Sequence, residues 1–511
     1  MRTPGVLPLL LAGGLVSCQK APPAPTTPDK NESIELDIKE EDWHDPEPAF
    51  PKPRPSPQLA TQEPAHPALV LRHATILTAT GRRIEDGTIV LKSDVIAAVG
   101  DNSTPAPPGA EEINAQGKFV TPGIIDTHSH VGVYPAPWVD ANSDGNEMSE
   151  VVTPSASVVS AYWPQDPAIT RASAGGVTVA QILPGSANLI GGLGLTVEMR
   201  LGRGAGDVRF PDAPPTLKMA CGENPKRLHG EKGGPKTRMG ELATLRAIFF
   251  EAAEHRAKLS TYKRERALWE RKRARAAELD DQAKAAGKPD RVKPVPAPSP
   301  PPRDERLEVL ADVLEGNTLV QLHCYRASDM LQLVALADEL GFGIRSFHHA
   351  LDAYKIRDVL VSHGIAVSTW ADWWGFKMEA LDGIPENAAL FSQAGGRAVI
   401  HSDSSLGIQR LNQEAAKAMN AGRAAGIPIS EDEALRWITA NPAWVLGIEK
   451  VTGTLEVGKR ADVVLWSGHP FSVYSRPDLV LVRGRKVFDR RVGRRPTDFE
   501  IGNSAREGAA P

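Results

Sequence analysis

Two histidines spaced two residues apart stand out in this 511-residue chain, in Gly123-Ile124-Ile125-Asp126-Thr127-His128-Ser129-His130. On a strand that spacing puts both imidazoles on one face, because successive side chains alternate. Two neutral nitrogen donors held side by side are half of a zinc site. Alone, the pair is a weak signal. Three later apolar runs end in similar groups: Val320-Gln321-Leu322-His323, Ser346-Phe347-His348-His349 and Val399-Ile400-His401-Ser402-Asp403. Polar groups at the ends of apolar strands make poor core residues, and metal coordination gives their convergence a purpose.

The elements that must position these groups are legible as runs of buried-strand character. They are Phe119–Asp126, Val177–Leu183, Leu217–Cys221, Leu319–His323, Gly343–His349, Ile365–Trp370 and Arg397–Asp403. Helical patterns such as Met330–Leu340 and Tyr354–His363 lie between several of them. Such alternation predicts a parallel sheet with helices outside it. Without the biased stretch 254–305, the span from Asp126 to Asp403 approaches the ~250 residues of a (β/α)8 barrel. A doubly wound open sheet is the alternative, but no Gly-x-Gly-x-x-Gly turn follows the first strand. The expected architecture is α/β: a TIM-like barrel over 121–449, with the insertion 254–305 inside it. Ala68–Gly100 and Thr452–Val492 show short β-type runs between turn residues. Neither is large enough for its own core, so segments 68–120 and 450–495 are expected to build one small β-sandwich domain.

With these motifs in view, the chain resembles the amidohydrolase superfamily, and within it the imidazolonepropionase-like group. The resemblance covers roughly Ala68 to Val492. It rests on PGIIDTHSH, the single-histidine strands five and six, the strand-eight aspartate, and NPAWVLGIEKVTGTLEVGKRADVVLW from Asn441. It implies a divalent metal centre, zinc expected, with one or two ions. Carried over by position, it makes His128, His130, His323, His349 and Asp403 ligands. His348 and His349 point to opposite faces of their strand, and His349 is the one at its end. His401 shares a face with Asp403 one layer deeper and reads as a hydrogen-bonded interior histidine.

Strand four leaves alternatives open. Many superfamily members bridge two metals with a carboxylated lysine or a glutamate, and Leu217–Arg227 offers both Lys218 and Glu223. Glu223 lies at the level of the other ligands and is preferred; Lys218 could reach up from below; a mononuclear site needs neither. A metal with an open position lowers the pKa of its water toward ~7. Asp403 then serves as general base and afterwards protonates the leaving nitrogen. The expected activity is hydrolysis of a small molecule's C–N bond in an amide, lactam or dipeptide-like substrate. A lactonase, phosphoesterase or deaminase on the same barrel is the alternative within catalysis. A non-catalytic metal-binding surface lipoprotein is the alternative outside it. Candidate substrate contacts are Asn188 in the Gly-rich stretch Leu183–Gly194, the cations Lys226 and Arg227, and Trp373, which follows strand seven with Trp370 and Trp374.

Composition sets the outer limits. Fifty-nine basic against 63 acidic residues give a net charge of −4, which argues against a nucleic-acid partner. Three cysteines exclude a disulfide-stapled scaffold, and Cys221 and Cys324, at neighbouring strand ends, read as buried, inert thiols. Twelve of the 43 prolines fall between Ala21 and Pro67, in a segment too polar to fold, so 19–67 is expected to be a disordered tether. Residues 496–511 read as a disordered tail. Residues 1–18 read as a signal peptide whose Leu15-Val16-Ser17-Cys18 resembles a lipobox. Cys18 is then a lipid anchor in the envelope of a Gram-negative-type bacterium, with Gln19 suiting the outer membrane. From Arg256 to Arg275, nine Lys/Arg face only Glu265 and Glu270, which reads as a solvated helix ahead of the proline-rich Pro294–Pro302. Self-association into a homo-oligomer is left open.

Overall fold

The computed structural model describes residues 66–287 and 296–492. The signal segment with Cys18, all but the end of the tether, and the tail lie outside the described residues.

The described residues open on five strands, of which the first three form an antiparallel meander while the fourth and fifth pair parallel with the first. They are β1 (Leu69–Leu77), β2 (Arg83–Lys92), β3 (Val95–Asp101), β4 (Glu111–Asn114) and β5 (Phe119–Pro122). The β2–β3 hairpin turns on Ser93 and Asp94, with Ser93 in the left-handed region at φ 55°, as a two-residue hairpin requires. The expected single strand Phe119–Asp126 breaks at Gly123. There a β-carbon would lie 2.0 Å from Thr178 Oγ1, so only glycine lets the chain pass from one sheet to the next.

The strands that position the site then follow. They are β6 (Ile124–Ser129), β7 (Val177–Ile182), β8 (Ile190–Leu193), β9 (Leu195–Glu198), β10 (Thr216–Ala220), β11 (Leu319–His323), β12 (Ile344–His348), β13 (Ala366–Thr369) and β14 (Ala398–Ile400). β6 and β7 are parallel, as are β10 through β14 in order. β8 and β9 run the other way: β9 pairs antiparallel with β7, and β8 with β10. The all-parallel expectation therefore fails at this one place, where a reversed strand interrupted at Gly194 joins the two groups. The first and last strands are also linked. Trp437 and Ile438 carbonyls accept from Ile400 and Ile125 N–H at 3.0 and 2.9 Å, and Asp403 N–H donates to His128 O at 2.9 Å. The fold is mixed α/β. Every residue of β6, β7 and β10 is buried, as expected where both faces are covered. The helix Ala327–Leu340, for one, buries Met330, Leu333, Val334 and Ala337 at helical spacing.

After this region the chain returns to the first sheet with β15 (Val463–Trp466), β16 (Pro477–Val482) and β17 (Arg485–Asp489). β15 pairs antiparallel with β5, so segments from both sides of the site-bearing region share hydrogen bonds. The order is β17-β16-β15-β5-β1-β2-β3 with β4 on β1, one eight-stranded sheet where two facing sheets were expected. Leu71, Ile89, Val120, Val463 and Leu481 form its core.

Between β10 and β11 runs a helix from Arg238 to Ala285. Its first turns bury Leu245, Phe249 and Ala252 with Leu310 and Val313. Of the described residues, 263–287 and 296–299 belong to a separate compact unit. Within it Arg266 and Arg273 lie 4.9 and 5.5 Å from the Trp269 ring centroid, and Arg266 pairs with Glu270 at 2.9 Å, an i,i+4 bridge that supports an exposed helix.

Candidate metal centre

The site is assembled from strand ends. Asp126, His128 and His130 follow one another along one face of the β6 end. The buried Asp126 carboxylate accepts from Ser402 N–H at 3.2 Å, from Ser402 Oγ–H and from His128 N–H at 3.1 Å. It ties the first strand end to the last, and burial pushes its carboxyl up to about 6. Asp126 stands in the motif that drew attention to the histidines, yet only its neighbours were read as functional.

A hydrogen-bond relay fixes the tautomer of His128. Gln321 Nε2–H donates to Val445 O at 3.2 Å, which orients the amide and leaves Gln321 Oε1 to accept from His348 Nε2–H at 2.7 Å. His348 Nδ1 therefore carries a lone pair, and His128 Nδ1–H donates to it at 3.0 Å. The remaining nitrogen, His128 Nε2, keeps its lone pair, with Lys218 Nζ 3.4 Å away. His130 is oriented in the same way: its Nδ1–H donates to Leu183 O at 2.8 Å, which places its Nε2 3.1 Å from Asp403 Oδ1. Donation by the far nitrogen of a histidine to a carbonyl or relay is the arrangement that prepares the near one for a metal.

The other groups add further lone pairs. His349 Nε2 is 3.7 Å from Asp403 Oδ2, and His128 Nε2 is 3.8 Å from Asp403 Oδ1. One ligand atom from each of His128, His349 and Asp403 lies within 4.8 Å of the others. His323 is buried with neither ring nitrogen hydrogen-bonded, and His349 Nδ1 is likewise without a partner. Burial, with Lys218 a further contributor at each, holds His128, His323 and His349 well below the usual histidine range, so they stay neutral donors. Buried imidazole nitrogens of His323 and His349 without a protein partner, beside the His128, His349 and Asp403 cluster, offer lone pairs that a cation would satisfy. The donor set therefore fits a divalent metal. His401 Nε2 accepts from His349 N–H at 3.3 Å, and burial lowers its pKa to about 4. His349 and Asp403 both have positive φ, 58° and 47°.

At strand four the structure brings Lys218, and not Glu223, to this centre. Fully buried Lys218 donates from Nζ to Pro184 O at 2.9 Å and sits 3.4 Å from His128 Nε2; burial lowers its pKa to about 7. After β10, Gly222 takes φ 84° and turns the chain into the helix Glu223–His229. Glu223 there lies 3.7 Å from Lys377 Nζ, and its N–H donates to Glu379 Oε1 at 2.7 Å. Of the two strand-four candidates, Lys218 is the one that touches a proposed ligand, and Glu223 pairs with Lys377.

The substrate-contact expectations divide. Buried Asn188 donates to Thr153 Oγ1 at 2.8 Å and to Glu147 O, and accepts from His229 Nε2–H at 2.8 Å. It is a loop brace with both donors spent. Lys226 and Arg227 lie on the helix with Glu223, and Arg227 is exposed. Trp373 is half-exposed and belongs to a series of rings leading from the centre. Trp370 stacks on His349 at 4.5 Å and 23°, Trp373 packs on Trp370 at 4.7 Å, and Phe376 lies 5.6 Å from Trp373. Tyr325 lies 4.7 Å from His323, and Lys377 Nζ sits 4.3 Å from the Tyr325 ring centroid. Cys221 and Cys324 are not free thiols, as expected from sequence, but a disulfide. In-register pairing of Ala220 with His323 brings these next residues together.

Comparison with known proteins agrees with this arrangement. Residues 355–488 match the model of an amidohydrolase family. Amidohydrolase tasK of Hapsidospora irregularis is 33% identical over 421 residues, 79% of this chain; the chain spans only 40% of that relative's length. An imidazolonepropionase of Mesorhizobium japonicum is 25% identical over 400 residues, covering 75% of this chain and 87% of its own. Among solved structures, an amidohydrolase from Thermotoga maritima is 33% identical with a TM-score of 0.69, covering 83% of this chain and all of its own. With that relative matched along its whole length, the chain belongs to the amidohydrolase family.

Proposed function

We propose that this amidohydrolase is a metal-dependent hydrolase of C–N bonds in amides, lactams or dipeptide-like small molecules, built on a TIM-like barrel with one reversed strand. The observation that carries this reading is the cluster of His128, His349 and Asp403, with buried nitrogens of His323 and His349 that have no protein partner. His128, His130, His323, His349 and Asp403 would hold the ion, zinc by the nitrogen-rich donor set, with Lys218 as the strand-four group if there are two. When bound, such an ion acidifies water and polarises a carbonyl. Asp403, its side chain 23% exposed, accepts a proton at its carboxylate and delivers it to the leaving nitrogen. Trp370 packs His349 in place and shields it from water, and the outward rings of Trp373 and Phe376 suit a flat apolar substituent beside the scissile bond. The match to an imidazolonepropionase over most of its length supports a place in that wider group.

The same proposal puts the chain in a bacterial cell envelope, lipid-anchored through Cys18. The disulfide supports an oxidising compartment, since such bonds are rare in the cytosol. Incorporation of labelled palmitate that Cys18→Ala abolishes would test the anchor.

Metal analysis of the full chain, with kinetics on a panel of N-acyl amino acids, dipeptides, lactams and lactones, tests the activity. One or two equivalents of zinc are expected in the wild type, retained in Asp403→Asn while turnover falls by roughly 10²–10⁴-fold. A metal-replete protein that hydrolyses no member of the panel would sink the enzymatic reading in favour of a binding module.

A further inference from the structure

Among the proposed ligands His323 is the least restrained. His128 is fixed by the His348–Gln321 relay and His130 by Leu183 O, but neither ring nitrogen of His323 has a protein partner. Its ring packs against those of Tyr325 and His349, both at 4.7 Å, with no hydrogen bond to fix its direction. The backbone at the end of β11 therefore sets much of its aim. Cys221 N–H donates to His323 O at 3.0 Å, and Cys324 N–H donates to His348 O at 3.0 Å. The residue after His323 is then joined covalently to the residue after Ala220, three positions beyond Lys218. The two cysteines are 103 residues apart, and the chain between them carries the whole helix Arg238–Ala285. The bond closes that excursion at the two strand ends that carry His323 and Lys218. Both sulfurs are buried, and an Asp329 carboxylate oxygen lies within 4.8 Å of them while Arg238 Nε donates to Asp329 at 2.7 Å.

We infer that the Cys221–Cys324 disulfide is a positioning pair for the metal centre, holding the β10 and β11 ends so that His323 stays aimed at the ion, and that metal retention therefore depends on the redox state of the chain. The inference rests on the metal-centre reading above. Reduction by a trialkylphosphine breaks the S–S bond: phosphorus gives two electrons and becomes the phosphine oxide with the oxygen of a water, whose two protons end on the sulfurs. Freed of the bond, the end of β11 keeps its ladders to β10 and β12 but loses the covalent link just beyond them, and the unbonded His323 ring gains freedom.

The test uses the full chain from an oxidising host. Peptide mapping without reductant identifies the cross-link, and chelator competition gives zinc affinity for oxidised wild type, phosphine-treated wild type and Cys221→Ser/Cys324→Ser. The expected result is a cross-linked peptide pair and zinc affinity weakened about 10–100-fold in the reduced and substituted proteins, the range for lost ligand support. Turnover at saturating zinc should be much less affected, and reoxidation should restore affinity in the wild type only. Free thiols in the oxidised protein, or unchanged affinity after complete reduction, would overturn the inference. So would zinc loss accompanied by collapse of the circular dichroism spectrum, which marks general unfolding. If the oxidised wild type binds no zinc, the metal-centre reading fails first and takes this inference with it.

Discussion

Two groups of ionisable side chains gather beyond the ends of the inner strands, and they are built on opposite rules. Around Arg238, opposite charges pair: its guanidinium reaches Asp329 at 2.7 Å and Glu379 beside it. Lys377 lies 3.7 Å from Glu223 and 3.8 Å from Glu379, and also donates to Asn224 Oδ1 at 2.9 Å. Around Asp403, by contrast, histidines crowd one carboxylate, and buried nitrogens of His323 and His349 have no partner. Glu223 belongs to the first group, whose counterions are its own side chains. The second group leaves buried imidazole nitrogens unsatisfied, and these open acceptors, not the mere presence of acids, mark a place made for a cation.

The sharpest way to break the comparison is to remove one member of each group. His323→Ala should lose most bound zinc, whereas Glu223→Ala should keep its zinc and stay within a few-fold of wild-type turnover; elemental analysis and kcat/KM measure both. Equal zinc loss in the two variants would erase the distinction. A smaller effect is expected at Gln321, which touches no proposed ligand directly. Gln321→Leu removes the acceptor that sets His348 and hence His128, so zinc affinity should weaken about 10–100-fold with the fold intact. Unchanged affinity would show that His128 needs no relay.

The smallest effect concerns Glu241, a buried exception within the balanced group. Its Oε2 accepts from Gly222 N–H at 3.1 Å, but its Oε1 has no partner. Burial raises its carboxyl to about 7. A raised carboxyl makes the folded state bind more protons than the unfolded one between pH 4.5 and 7, so this group's contribution to stability falls as pH rises through that window. Glu241→Gln should therefore leave the melting temperature nearly unchanged at pH 4.5 and raise it at pH 8, by on the order of 1 kcal/mol in stability. A variant that melts lower than wild type at pH 8 would refute this account.

Much of the inner sheet is legible in sequence because its strands are continuous apolar runs that end in a histidine or aspartate. The reversed strand is not, because Ile190-Gly191-Gly192-Leu193-Gly194 reads as a flexible turn. Its glycines serve close approach instead: a β-carbon at Gly192 would lie 2.3 Å from Ala156 O, and one at Gly194 2.7 Å from Thr216 Oγ1. Level along a strand misled at strand four, since the chain leaves the sheet at Gly222 before Glu223 can face inward, while Lys218 has the reach to arrive from below. The relay through Gln321 has no local signature, because it joins β11, β12 and β6 across 220 residues of sequence. The disulfide was within reach of the strand register, but pairing of two buried cysteines depends on redox state as well as position.

The left-handed backbone of His349 and Asp403 bears on how this centre can change. Asn, Asp and His are the non-glycine residues that enter that region most readily, whereas β-branched and bulky residues are true outliers there. Drift or engineering toward a different ligand set is therefore channelled: Asp403 exchanges with asparagine at little conformational cost, while valine or isoleucine at either position would strain the backbone before touching the metal. The alphabet available to these two positions is narrow, and new specificity is more easily reached through the aromatic loop after β13 than through the ligands themselves.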